Sequence, residues 1–419
     1  LSAIRRVLYL AAHGGFAGRA VPLGGGAAVS NLLIDEWRRG APFAVTLITP
    51  AILGAAAPSA EEIVSFDERC YARFCRAFRD RSTDEVLRHD PRETAVLAND
   101  ISEGPDFERL ARAGYRMVSL WHVDVIAYIA AIYLRGRLSP GTLARAWNAA
   151  RRIGLARLSP AIPRLIFEQQ RECLRYASQV VVPSRGMRQV ILESYAAARA
   201  ERVAVVPWGL PPAAGTGGAV DLRSEFGVPA DAPVLLCLSR ISPEKGQDLL
   251  LEALIEWERS NEAVPSGLHL FICGLPAFMQ GERYSLRVRR LAERLLKVKV
   301  VFPGYVNGER KQAMFRMADL YVFPSRHESY GLTLLEALGA GLPAVCLDHF
   351  GAREVMRPEF GAIVRARTDE EARLGLRREI ARLLANGALR KRMGDDAAAY
   401  ARSRPFADSA ARIAELLTG

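Results

Sequence analysis

Short apolar runs alternate with helical stretches along nearly the whole chain, and this rhythm limits the fold more than any other feature. The strand-like runs are Val7–Ala11, Phe43–Thr49, Thr94–Ala98, Arg116–Trp121, Gln179–Val182 and Val203–Val206, then Val234–Ser239, His269–Cys273, Val300–Phe302, Leu320–Phe323 and Ala344–Leu347. Strands that are apolar throughout and separated by helices belong to parallel sheets covered on both faces. One segment rich in Pro, Gly and Ala, Pro207–Pro233, interrupts the rhythm. At 419 residues the chain also exceeds what one core usually covers. The expected fold class is α/β, with two doubly wound, Rossmann-like domains: residues 1–208, a linker at 209–230, and residues 231–406. Their strand ends are expected to face each other across a cleft that holds the ligands.

No apolar run approaches the roughly 20 residues that cross a bilayer, and a strand-like segment near the start leaves no room for a signal peptide. The expected setting is cytoplasmic. Basic residues number 57 against 46 acidic, a net charge of +11 that favours anionic partners. No basic tract interleaved with aromatics and no finger or helix-turn-helix spacing supports nucleic acid. The six cysteines show no close metal-ligand pairing and read as buried thiols in a reducing compartment.

Five lysines occur in the chain, and one of them, Lys245, lies with Arg240 just beyond the strand Val234–Ser239. An arginine fork and a lysine point charge at a strand end can neutralise a diphosphate, although an ordinary basic loop reads the same way. The segment from Pro324 to Gly341 carries two glutamates, Glu328 and Glu336, separated by seven residues across a loop that enters a helix near Tyr330 and Gly331. Backbone N–H groups at such a helix start hold phosphate, and Gly331 permits close approach. Glu328 then stands near the sugar end of a nucleotide sugar and Glu336 near its ribose. Near the N-terminus, Gly25 and Gly26 open a helix after a glycine-rich loop, a weak phosphate signal by itself. Asn99 and Asp100 end one strand, and His122 and Asp124 follow the next, all at the carboxyl edge of the first sheet, where the transferred sugar or an acceptor binds.

Between Arg135 and Phe167 there are seven arginines and no acidic residue. Drawn as a helix, Thr142–Leu158 gathers Leu143, Trp147, Ala150 and Leu158 on one face. Such a helix either lies on anionic lipid, as a peripheral contact through residues 135–167 at the inner face of the membrane, or is a solvated face or a guide for anionic substrate. Leu155 breaks the apolar face and favours the latter.

Over about Val203–Met356 the chain resembles the retaining glycosyltransferases of family 4. The motifs that carry the resemblance are Val205–Leu210, Ser239–Gly246, Phe302–Val306 and Pro324–Gly341, with looser matches at Gly25, Gly26, His122 and Val181–Ser184. The resemblance implies the GT-B fold, with a final helix, about Ala407–Leu417, crossing back to the first domain. It implies a nucleoside-diphosphate sugar (UDP-, GDP- or ADP-linked hexose) as co-substrate, a hydroxyl acceptor, and retention at the anomeric carbon. By it, Arg240 and Lys245 bind the donor's phosphates, and Gly304, Tyr305 and Val306 line the base site. Glu328 contacts the sugar, Tyr330, Gly331 and Leu332 offer N–H groups to the diphosphate, and Glu336 holds the ribose. Gly26 closes on the phosphates and His122 touches the sugar. Trp208 and Phe406 depart from the family's usual residues. No Asp-x-Asp occurs, so no metal and no other cofactor is expected. The rival readings are a nucleotide-sugar epimerase on the same plan and an inactive partner subunit; the transferase motifs and the intact charged residues argue against both.

Overall fold

The computed structural model describes residues 4–13, 24–59, 62–63, 66–99, 101–134, 137–212, 220–276 and 281–419. These form two compact units, Leu1–Trp208 with Ala407–Gly419, and Gly209–Phe406.

The first unit holds β1 (Arg6–Leu10), β2 (Ala44–Ile48), β3 (Thr94–Ala98), β4 (Arg116–Leu120), β5 (Gln179–Val182) and β6 (Val203–Val205). They form one parallel sheet in the order β2-β1-β3-β4-β5-β6. Central strands such as β3 are buried along their whole length, which is why they read as continuous apolar runs. The final helix, Phe406–Thr418, is tied to this unit by hydrogen bonds. Trp37 Nε1–H donates to Ala410 O (3.1 Å), Ser409 Oγ–H to Pro207 O (2.9 Å) and Arg116 Nε–H to Leu416 O (2.9 Å).

The second unit holds β7 (Val234–Leu238), β8 (His269–Cys273), β9 (Lys299–Gly304), β10 (Leu320–Phe323), β11 (Ala344–Leu347) and β12 (Gly361–Val364). They too form one parallel sheet, in the order β12-β11-β10-β7-β8-β9. The strand order therefore reverses between β7 and β10, the crevice where ligands of such sheets bind.

β12 is the strand the apolar pattern did not reveal. It has four residues and opens on Gly361, whose added Cβ would lie 1.9 Å from Ala344 O, so backbone approach and not a run of apolar side chains specifies it. Part of the expected linker is also packed structure. Leu222–Phe226 is a helix whose Phe226 ring meets Phe271 edge-on at 5.2 Å, and Arg310 pairs with Glu225 beside it. Five of the six thiols are buried, Cys70 being the exposed one.

Candidate active site

In the second unit, the loops that leave β7 and β10 meet at the point of strand reversal. After β7, Gln247 Nε2–H donates to Ser239 Oγ (2.9 Å) and Arg240 O (2.7 Å), which fixes the first turn of its loop. Lys245 ends a single 3-10 turn, and Gly246, at φ 67°, reverses the chain into the helix Gln247–Arg259. A side chain at 246 is excluded twice, by that φ and because its Cβ would stand 2.1 Å from Pro324 O of the β10 loop. This backbone contact brings Lys245 Nζ onto Glu328 Oε1, and Ser325 Oγ–H reaches the same oxygen at 3.2 Å. The two charged side chains are only 12% and 15% exposed. Burial alone would raise the Glu328 carboxyl, but Lys245, helped by His349 and Arg240, holds it below the usual range. Arg240 lies alongside, its Nη2 3.6 Å from Glu244 Oε1.

The β10 loop is clamped from its other side as well. Gly351 N–H donates to Glu328 O (3.1 Å), and a Cβ at 351 would lie 1.9 Å from Tyr330 O. His349 caps the helix Phe350–Val355: its Nδ1 accepts from Ala352 N–H at 3.0 Å, so in the neutral ring the proton sits on Nε2. Burial lowers the imidazole to about 4, against the pull of Glu328. The unfolded chain therefore binds a proton more readily between its ordinary value, near 6.5, and about 4, and stability falls as pH drops through that window. His349→Asn keeps a good cap and removes the titration. Urea midpoints measured from pH 7 to pH 4 should then fall less steeply in the variant; an equal fall in both proteins would rule out His349 as the source.

The helix after this loop spans Leu332–Gly339, starting slightly later than the sequence suggests because Gly331, at φ 98°, is its cap and Tyr330 is buried beneath. The N–H groups of Gly331, Leu332 and Thr333 have no acceptor among the described residues, which leaves them open to an anion. Glu336 lies about one turn into the helix, on its buried face, and is paired: Lys311 Nζ holds its Oε1 at 2.5 Å. At the end of β9, Gly304 (φ 80°) accepts from Gly274 N–H at 2.8 Å. Tyr305 is 38% exposed and Val306 is buried.

The carboxyl edge of the first sheet gathers a second polar group. Asn99 Oδ1 accepts from Tyr9 Oη–H (2.7 Å) and lies 3.2 Å from His122 Nε2, whose ring stands 5.8 Å from that of Trp208. Gly25 and Gly26 form the first turn of the helix Gly25–Gly40, with open space where a Cβ at 25 would stand. Asp100 lies outside the described residues. Asp124 corrects the expectation that it projects toward an acceptor: it is 2% exposed. Its Oδ1 accepts from the N–H groups of Ile126 and Ala127, which caps the next helix, and from Tyr195 Oη–H at 2.8 Å. Burial raises its carboxyl.

Several residues here carried no clear sequence signal. Lys311 and His349 join the second unit's site. In the first, buried Glu103 accepts from Tyr71 Oη–H and lies 3.6 Å from His13 Nε2. His13 follows β1 as His122 follows β4, so its strand-end position was the available clue. The arginine-rich stretch is not one helix, as expected over Thr142–Leu158. The helix Pro140–Arg152 stops at Gly154 (φ 79°), and a 3-10 turn covers Leu155–Leu158. Leu158, expected on the apolar face, is 83% exposed.

Residues 221–400 match the family model of the glycosyl transferases group 1. A D-inositol 3-phosphate glycosyltransferase of Geodermatophilus obscurus is 33% identical over 254 residues, 59% of this chain and 55% of its own, so the match spans about half the length of that relative. The sucrose-phosphate synthase of Thermosynechococcus elongatus superposes with a TM-score of 0.72 at 17% identity, covering 98% of both chains. HepE of Anabaena, solved with UDP and glucose, gives a TM-score of 0.64 at 19% identity, again over 98% of both. These likenesses, with two parallel six-stranded sheets, identify the GT-B fold of two Rossmann-like domains. The match to the glycosyl transferases group 1 thus lies within the second unit, over residues 221–400, and covers less than half of the chain.

Proposed function

We propose that the protein is a retaining, metal-independent hexosyltransferase that moves a sugar from a nucleoside diphosphate to a hydroxyl acceptor. The observation that carries the reading is the Lys245–Glu328 pair at the strand reversal of the second sheet, with the open N–H groups of Gly331, Leu332 and Thr333 on the same loop-helix segment. Arg240, Lys245 and the helix start neutralise the diphosphate as it leaves, the place where charge grows in the transition state. Glu328, kept ionised by Lys245, binds the hexose hydroxyls. Gly304, Tyr305 and Val306 receive the base. In the first unit, Gly25 and Gly26 serve the phosphates, and His122 and Asn99 serve the transferred sugar.

The reaction breaks the bond from the anomeric carbon to the phosphate oxygen and forms one to the acceptor oxygen on the same face. The acceptor's proton passes to the departing phosphate, so no protein base is needed. Binding of UDP and glucose by HepE supports a nucleotide sugar as donor. A thermal-shift screen of UDP, GDP, ADP and their hexosides tests this, since a ligand that binds the folded state raises the melting temperature by mass action. One base should stand out; no shift with any of them would refute the proposal.

Glu336 holds the ribose through the carboxylate that Lys311 orients. Glu336→Ala should weaken donor binding roughly tenfold or more, as loss of a charged hydrogen bond does, with a smaller change in turnover. Calorimetric titration with the matching nucleotide measures it, and wild-type affinity would remove Glu336 from the site.

A further inference from the structure

A cavity of about 410 Å³ opens within the first unit, between the helices Pro140–Arg152 and Ala161–Tyr176 and the turn after the helix Arg185–Ser194. Five arginines line it, Arg151, Arg152, Arg171, Arg175 and Arg199, and no carboxylate does. Some arginines elsewhere are neutralised by carboxylates: Arg79 meets Asp106 and Glu172, and Arg373 meets Glu252 and Glu256. Among the described residues, none of the five has an ion-pair partner. Four of the five are exposed and Arg171 is half-buried, and like charges gathered on three elements around one hollow make it attractive to an anion.

Two further donors point to the same kind of ligand. Trp147 lines the cavity with its ring stacked on Phe167, centroids 4.6 Å apart, and its Nε1–H is shut off from solvent without an acceptor. The Nε–H of Arg171 is in the same condition. Buried donors normally have an acceptor, and the chain supplies none to these two beside the hollow. Tyr195, also on the wall, is engaged with Asp124 and is not available for that purpose.

We propose that this cavity is a binding site for a ligand carrying two or more phosphoryl groups. A single phosphoryl group brings a charge of at most about −2 at neutral pH, which leaves most of five guanidinium groups uncompensated. Guanidinium forks grip phosphate oxygens in pairs, and the indole N–H completes the cradle. The site shares no residue with the donor-side set of the second unit, and it stands whether or not the proposed transferase reaction does. The phosphoryl groups belong either to a soluble organic phosphate or to lipid headgroups, toward which the exposed Ile153, Leu155 and Leu158 beside Arg151 and Arg152 would turn.

Calorimetric titration with inorganic pyrophosphate tests the proposal, in protein carrying Arg240→Ala and Lys245→Ala so that those two cations do not contribute. Pyrophosphate should still bind. Arg171→Gln with Arg175→Gln should weaken that binding roughly tenfold or more, and Trp147→Phe, which keeps the ring and removes only the donor, should weaken it severalfold. The phenylalanine variant decides the matter if the double glutamine variant fails to fold. Vesicles of phosphatidylglycerol, compared with phosphatidylcholine, separate the sources. Vesicle binding that pyrophosphate displaces assigns the site to lipid headgroups, and pyrophosphate binding without vesicle binding assigns it to a soluble phosphate. No pyrophosphate binding in the Arg240 and Lys245 double variant, or binding indifferent to Arg171, Arg175 and Trp147, overturns the proposal.

Discussion

Lys245→Ala should lower turnover about 10²- to 10³-fold, the usual loss when one preorganised charge that stabilises a leaving group is removed. Binding of the donor should change less, because in the proposed site Arg240 and the helix N-terminus are left to hold the phosphates in the ground state. Lys245 also compensates Glu328, so the substitution leaves a nearly buried carboxylate without its main partner and should cost some stability. Without Lys245 the Glu328 carboxyl loses the largest influence that holds it down. If the ionised form is required, the acid limb of the activity profile should therefore move to higher pH. Turnover measured well below the melting temperature, from pH 5 to pH 8, separates these effects. Full activity in the variant would contradict the assignment of Lys245 outright.

The other large effect is expected from a substitution that alters no charge. Gly351→Ala places a methyl group 1.9 Å from Tyr330 O and 2.7 Å from Tyr330 Cα, both backbone atoms that cannot rotate away. Overpacking of this kind costs about 1–3 kcal/mol, whereas alanine in an ordinary helix is favoured over glycine by roughly 0.5–1 kcal/mol. The sign of the change is thus the test. A lower urea midpoint with an unchanged slope, together with weaker nucleotide binding, is expected. A variant as stable as the parent would show that the clamp on the β10 loop is not tight. Gly246→Ala should act the same way through Pro324, and the two should not add, because both press on one loop.

The parallel strands were legible because burial on both faces makes them apolar throughout, and β12 was not because a glycine's close approach to Ala344 defines it. Lys245 and Glu328 could each be read from local pattern, a cation at a strand end and a carboxylate ahead of a helix. That they touch could not, since 83 residues separate them and the strand order joins them. Asp124 shows the opposite failure: a polar residue at a strand end is either turned toward a ligand or engaged in capping the helix that follows, and the sequence does not distinguish the two. The pairing of Glu336 with Lys311, and the group of Tyr71, Glu103 and His13, depend in the same way on which elements lie side by side. Gly154, by contrast, stood in the sequence as a helix breaker, and its effect on the arginine-rich stretch was readable there.

The β10 loop takes its position from main-chain contacts at Gly246 and Gly351 and from the ion pairs of Arg326 with Asp248 and Asp369. Where the loop lies and what its remaining side chains present can therefore vary separately. A library randomised at His327 and Ser329, with Gly246, Pro324, Ser325, Arg326 and Gly351 kept, has a scaffold already in place for new ligand preferences. The same diversity spread over the two glycines would be lost to misfolding before any change in specificity could be selected.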